Sequence, residues 1–286
     1  MMLVSGKQIL MHAHENGYAV GAFNVNNMEA VQAIIEAAEA TKSPVIIQAS
    51  QGGLKYAGVE YIAGMCKIAA EKSSVPVAIH LDHGTDFKQI MLCIRNGFTS
   101  VVIDGSQHPL KENIKKTKEI VEMAHAVGVS VEAELGKIGG TEDDISVDEK
   151  DAAYTDPDEA VHFVEETKVD SLAIAVGTAH GPYKGEPKLD FNRIKVIKER
   201  LNMPIVLHGS SGVPEESIKK AVSFGINKIN IDTDIRMTFH KSVKEFVDKN
   251  PDVYDPRKII EPARVAMKEI IAEKMSMFSS AGKAWR

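Results

Sequence analysis

The chain has little cysteine: two residues in 286, Cys66 and Cys93, with no CxxC spacing. Both fall in helical patterns, which excludes a disulfide framework and a cysteine metal site and predicts reduced thiols in a cytoplasmic protein. A basic block is also missing. The net charge of −6 comes from mixed signs along the chain, so nucleic acid is not an expected partner. No apolar run is long enough to span a bilayer and no signal-peptide core is present, so no membrane partner is expected. No Pro-, Gly- or Ser-rich linker divides the sequence, which predicts one domain over 1–286. What remains is an ordinary globular composition, 44% hydrophobic and 26% charged, sufficient for a sizeable core.

Periodicity then gives a regular alternation. Short β-branched runs end near Asn24, Ser50, His83, Asp104, Glu134, Gly177, His208 and Asp232. Amphipathic stretches follow at 28–41, 59–71, 87–96, 111–127, 157–168, 191–201, 214–224 and 235–248. Eight strand-then-helix units predict an α/β fold, a single-domain (β/α)8 TIM barrel. The runs are nearly continuously apolar, which suits a parallel sheet covered by helices. Pro157 and Pro214 stand at helix starts, where a missing N–H costs little. Gly97, Gly128 and Gly225 stand at helix stops, where left-handed backbone is favoured.

Two segments depart from the repeat. Residues 136–155 are Gly- and acid-rich and read as a mobile active-site loop. An appended helix occupies 255–278, starting at Asp255-Pro256. Its apolar face (Val265, Ile270, Ile271, Met275) must pack on the barrel or on another subunit, and a homodimer or homotetramer is expected.

Barrel active sites form at the C-terminal ends of the strands. His83, Asp104, Glu134, His180 and His208 should therefore converge although they are distant in sequence. Three neutral imidazoles with an open position are the ligand set of catalytic zinc; imidazole also accepts cobalt, and carboxylates accept harder ions. Asp82, beside His83, can exchange protons with a substrate oxygen or orient a ligand histidine. His80 reads as lying under the site, and His108 is undecided. His12, His14, His125, His162 and His240 read as solvated or capping. Residues 208–214 form a Gly/Ser loop before a helix, and Asn230, Ile231, Asp232 and Thr233 close the last strand before another. In barrels these two loops often cradle a phosphate through backbone N–H groups, here with Gly209, Ser210 and Ser211. Gly181 and Lys184 can add a backbone and a cationic contact. A Schiff-base chemistry would need a buried lysine at a strand end; Lys228 is read as beginning the last strand, at the opposite face.

The segments Tyr18 to Asn24, Ala78 to Gly84, Val131 to Gly136, Gly177 to Gly181, Leu207 to Gly209, Lys228 to Thr233 and Tyr254 to Arg257 resemble the class II, metal-dependent fructose-1,6-bisphosphate aldolases across essentially the whole chain. The resemblance implies reversible cleavage of the bisphosphate in glycolysis and gluconeogenesis through a zinc-stabilised enediolate. It implies that His83, His180 and His208 bind the catalytic zinc and that Asp104 and Glu134 hold a second or alternative zinc position. Asp82 would protonate the hydroxyl formed on the aldehyde, and Glu142 would move the carbon-bound proton. Gly181, Gly209 to Ser211 and Asn230 to Thr233 would bind dihydroxyacetone phosphate. Ser50 would meet glyceraldehyde 3-phosphate, and Arg257 the distal phosphate, from a neighbouring subunit. A monovalent cation (Na+ or K+) would sit near the phosphate loops.

Tagatose-1,6-bisphosphate aldolase is the nearest rival; Ile231-Asp232-Thr233-Asp234 leans toward the fructose enzymes. Ser210-Ser211 departs from the pairs common in that loop. A metal-dependent phosphoester hydrolase and a non-catalytic sugar-phosphate sensor are the rivals from other classes.

Overall fold

The computed structural model describes residues 2–142, 145–148, 152–183, 185 and 187–285, with the backbone alone of 142, 145 and 146. The strands are β1 (Val20–Asn24), β2 (Val45–Ser50), β3 (Val77–Asp82), β4 (Ser100–Ile103), β5 (Ser130–Leu135), β6 (Gly139–Glu142), β7 (Ile145–Val147), β8 (Ser171–Ile174), β9 (Ala179–His180), β10 (Ile205–Leu207) and β11 (Ile226–Ile231). The helices are α1 (Gly6–Asn16), α2 (Met28–Thr41), α3 (Gln51–Ala57), α4 (Val59–Lys72), α5 (Phe87–Arg95), α6 (Leu110–Ala126), α7 (Pro157–Thr167), α8 (Phe191–Leu201), α9 (Glu215–Ser223), α10 (Thr233–Lys249) and α11 (Pro256–Met277). Eight parallel strands close a ring in the order β1-β11-β10-β8-β5-β4-β3-β2.

Alternation along the strands divides the buried residues. Outward side chains such as Phe23, Ile47, Val101 and Leu172 meet the helices in a continuous apolar core. Inward ones are apolar at the N-terminal end: Val20, Ala22, Ile46 and Ala78 pack on Ile9, Leu10 and Ala13 of α1, which plugs the ring there. Ser5 caps α1 with a reciprocal Gln8 bond, so the plug has its own start signal. Higher in the ring the same inward register delivers polar residues: Gln48, His80, Asp82, Glu132, Glu134, Lys228 and Asn230.

Several expectations need correction. Segment 136–155 is not wholly irregular: β6 and β7 form a hairpin, and β6 pairs with β9. Gly140 (φ 95°) permits this, because a side chain there would run into the His180 carbonyl. The sixth barrel strand ends at Ile174, not Gly177. Helix α11 packs on α2 and α10 of its own chain, the first of its two expected partners; Met275 and Ile271 are buried as expected, whereas Val265 is exposed. Lys228 does not begin its strand. It is the third residue of β11, opposite Val20 and Val206 in register, and fully buried.

Candidate active site

The strand ends bring their side chains together by different routes. Asp104 follows β4 and His208 follows β10, whereas Glu134 is the penultimate residue of β5. His83 stands just past β3 with φ 47°. A non-glycine residue in this left-handed region costs roughly 1–2 kcal/mol. The turn breaks strand alternation, so Asp82 and His83 share one site although adjacent, with His83 Nε2 4.0 Å from Asp82 Oδ1. His180 comes from β9, outside the ring, and not from a barrel strand end.

His83, His180 and His208 are buried, and a nitrogen of each lies within 4.8 Å of the others. Their ring centroids are 4.9 Å (83–180), 4.7 Å (83–208) and 6.1 Å (180–208) apart. A tetrahedral zinc with contacts of about 2.0–2.1 Å needs donors roughly 3.3 Å apart, so small side-chain shifts suffice. His208 also has the right face forward. Its Nε2 is tied to Glu132 Oε1 at 2.9 Å, and its buried Nδ1 has no hydrogen-bond partner, 3.3 Å from Glu134 Oε2. His83, Asp104 and Glu134 form a second set of the same size; His83 Nδ1 is 2.9 Å from Asp104 Oδ2 and 3.9 Å from Glu134 Oε2. The donor sets therefore fit zinc in two adjoining positions.

Electrostatics divide the site. Burial opposes ionisation of Asp104, but bonds from His83 and Ser106 hold it well below the usual carboxylate range. Burial and then the nearby Asp104 raise Glu134. Burial would lower His208, yet Glu132 and Glu134 lift it to about 9. Beneath lies a closed network. Lys228 Nζ reaches Glu132 Oε1 at 3.0 Å and Oε2 at 2.9 Å and His80 Nε2 at 3.3 Å, while His80 Nδ1 meets Ser100 Oγ at 2.7 Å. Burial opposes the Glu132 charge, but Lys228 holds its carboxyl far down. Burial and Lys228 keep His80 neutral, well below its ordinary value.

Asp82 is fixed by three amides. Asn24 and Gln48 donate to Oδ2 at 3.0 and 3.1 Å, and Asn230 donates to Oδ1 at 3.0 Å. Ser50 lies opposite Asp82 in register and caps α3.

Beside the imidazoles a pocket is lined by Thr141, Ala179, His180, Gly181, Gly209, Ser210, Ser211, Asn230, Asp232, Thr233 and Arg236. The α10 N-terminus opens onto it, and Ser211 Oγ accepts the Asp234 N–H at 3.3 Å. Free N–H groups and the helix dipole make such an end an anion seat. Ile231 contributes no side chain there, since it faces the apolar core. Arg257 is 89% exposed and paired to Asp255 at 2.9 Å, away from the pocket lining of its own chain. Lys184 and the Glu142 side chain lie outside the described residues.

The sequence did not reveal Glu132, although alternation puts it on the same face as Glu134, nor Asn24 and Gln48 beside Asp82; Asn230, expected at the phosphate, also donates to Asp82. Also hidden was Arg236, one helical turn after Asp232 and bonded to it at 2.8 Å. Arg236 lines both this pocket and a neighbouring cavity of about 470 Å³. His12, His14 and His125 are not merely solvated or capping. They bond Tyr18, Lys198 and Asp170, whereas His162 and His240 are exposed. His108 sits at the surface with Glu112 and Lys116.

A parallel barrel with a three-imidazole centre and an anion pocket at its strand ends defines a metal-dependent enzyme acting on a phosphorylated substrate. The family model described as "Fructose-bisphosphate aldolase class-II" matches residues 4–283. A fructose-bisphosphate aldolase of Geobacillus stearothermophilus is 50% identical over 99% of both chains. One from Thermus caldophilus is 48% identical over 99% of this chain and all of its own. A solved aldolase from Escherichia coli K12 superposes with a TM-score of 0.88 at 37% identity, covering 99% of this chain and 100% of that one. The chain belongs to the class-II fructose-bisphosphate aldolase family, a family of zinc-dependent lyases. Among the described residues no helix is long and apolar enough to cross a membrane.

Proposed function

We propose that the chain catalyses reversible aldol cleavage of D-fructose 1,6-bisphosphate to dihydroxyacetone phosphate and D-glyceraldehyde 3-phosphate. One observation carries the reading: three buried imidazoles converge beside an amide-clamped carboxylate and an anion pocket. The names of the relatives favour the fructose epimer over tagatose.

His83, His180 and His208 hold the catalytic zinc, and Asp104 and Glu134 with His83 hold its second position. When bound, zinc supplies Lewis-acid stabilisation of the charge that develops at the ketose carbonyl. Asp82 takes the hydroxyl proton from the carbon that becomes the aldehyde and returns it in synthesis. Its three amides keep it aimed without occupying the metal centre. Glu142 moves the carbon-bound proton of dihydroxyacetone phosphate. Gly181, Gly209, Ser210, Ser211, Asn230, Asp232 and Thr233 seat the phosphate, with Na+ or K+ nearby and Lys184 as an added cation. Ser50 faces glyceraldehyde 3-phosphate, and Arg257 reaches the distal phosphate from a neighbouring subunit of a homodimer or homotetramer. Two free, buried thiols suit a cytoplasmic location.

Chelation should abolish cleavage, zinc should restore it, and borohydride with substrate should leave activity intact. Borohydride inactivation would instead point to a Schiff-base lysine and overturn the metal mechanism. The same assay on tagatose 1,6-bisphosphate tests the epimer; more efficient cleavage of tagatose would overturn that part.

A further inference from the structure

The strand that carries His180 and the loop that follows His208 are joined by one hydroxyl. Tyr183 Oη accepts the Ala179 N–H at 2.8 Å and donates to the Gly209 carbonyl at 2.6 Å. Ala179 immediately precedes His180, and Gly209 immediately follows His208. The two backbones also approach closely on their own account. A Cβ on Gly209 (φ 62°) would stand 2.6 Å from the Ala179 carbonyl oxygen, so only glycine fits. The Tyr183 ring packs beside Gly212, with Cδ2 3.6 Å from the position of a Cβ there. Thus a missing side chain sets how near the two segments come, and the phenol sets how they are held. Both segments line the anion pocket. Burial pushes the Tyr183 phenol up to about 12, so it stays protonated and able to donate.

We propose that Tyr183 is a positioning residue for this pocket. Its hydroxyl fixes the separation of residues 179–181 from 209–211, and with it the aim of their backbone N–H groups at a phosphate. Its oxygen is engaged by backbone on both sides, so it acts through these segments and not on substrate. The inference rests on the phosphate reading given under Proposed function.

The test is Tyr183→Phe in the full-length, zinc-loaded protein, with inorganic phosphate as the probe. The change keeps the ring and removes the hydroxyl, leaving a half-buried N–H and C=O without this partner. The KM for the bisphosphate and the inhibition constant for phosphate should each rise about tenfold. The kcat should fall much less, and zinc content should stay at the wild-type level. Unchanged KM and phosphate inhibition would overturn the proposal, whether or not the melting temperature drops. Zinc loss with an unchanged KM would overturn it in favour of a role at the metal ligands. Wild-type protein that phosphate does not inhibit would sink the phosphate reading itself, and this inference with it.

Discussion

Glu132 and Glu134 stand two residues apart on β5 and point into the same ring, yet their surroundings are opposite. Glu132 belongs to a lower layer that is electrically closed: both of its oxygens meet Lys228, and His208 and Ser171 bond to it as well. Glu134 belongs to an upper layer whose near neighbours are Asp104, His83 and His208. One layer sets a lysine against its carboxylate, and the other sets two carboxylates among imidazoles. A buried group kept in such an unfavourable setting is a mark of function more often than of stability. The lower layer orients the upper one, since Glu132 holds His208 Nε2 and leaves Nδ1 facing Glu134.

Four substitutions can break or sharpen this contrast. Asp82→Ala should act on chemistry alone, lowering kcat by about 10²–10⁴-fold with zinc retained. Zinc loss in that variant, read by metal analysis, would make Asp82 a structural residue. Lys228→Met should act on stability, because it strands the Glu132 charge in the core. Denaturant unfolding should show a loss of about 3–5 kcal/mol. Adding Glu132→Leu should recover part of it, and an equal loss in single and double variants would mean that the pair does not hold the layer.

Glu134→Gln should have the smallest effect and the opposite character. The folded pKa of Glu134 is raised above its ordinary 4.5. The stability it contributes is therefore complete below that pH and is lost as pH rises through the folded value. Chelated wild type should lose melting temperature as pH climbs from 4.5, and Glu134→Gln should flatten that decline. Saturating zinc should flatten it in wild type too. An unchanged slope in the variant would show that Glu134 does not carry the strain of the upper layer.

The ring and the inward histidines were legible because strand period and strand-end position are local signals. His83, Asp104, Glu134 and His208 could be placed from the runs that precede them. His180 could be named but not placed, since a two-residue strand outside the ring carries no periodicity. The β6–β7 hairpin was hidden for a similar reason: its glycines allow close backbone approach and leave no apolar alternation. Lys228 misled because a lysine in an apolar run reads as a strand boundary. Its burial depends on Glu132, 96 residues away. Ile231 was assigned by its neighbours, and alternation turns it outward. Asn24 and Gln48 looked like ordinary polar residues and Asn230 like a phosphate contact, and only the register of β1, β2 and β11 brings all three to one carboxylate.

The plug at one end and the distant origin of the ligands have a kinetic consequence. The ring closes where Val20 pairs with Lys228, a contact between the two ends of the barrel sequence. Contacts of such separation carry the greatest loop-closure entropy and belong to slow folding steps. His83, His180 and His208 come from three separate stretches of the chain, so no early hairpin or half-barrel can assemble the zinc site. The ion cannot serve as a template for the first steps of folding. If the proposed zinc reading holds, a zinc indicator in a refolding chain should respond once residues 83 to 208 have come together, which does not require the Val20–Lys228 pairing.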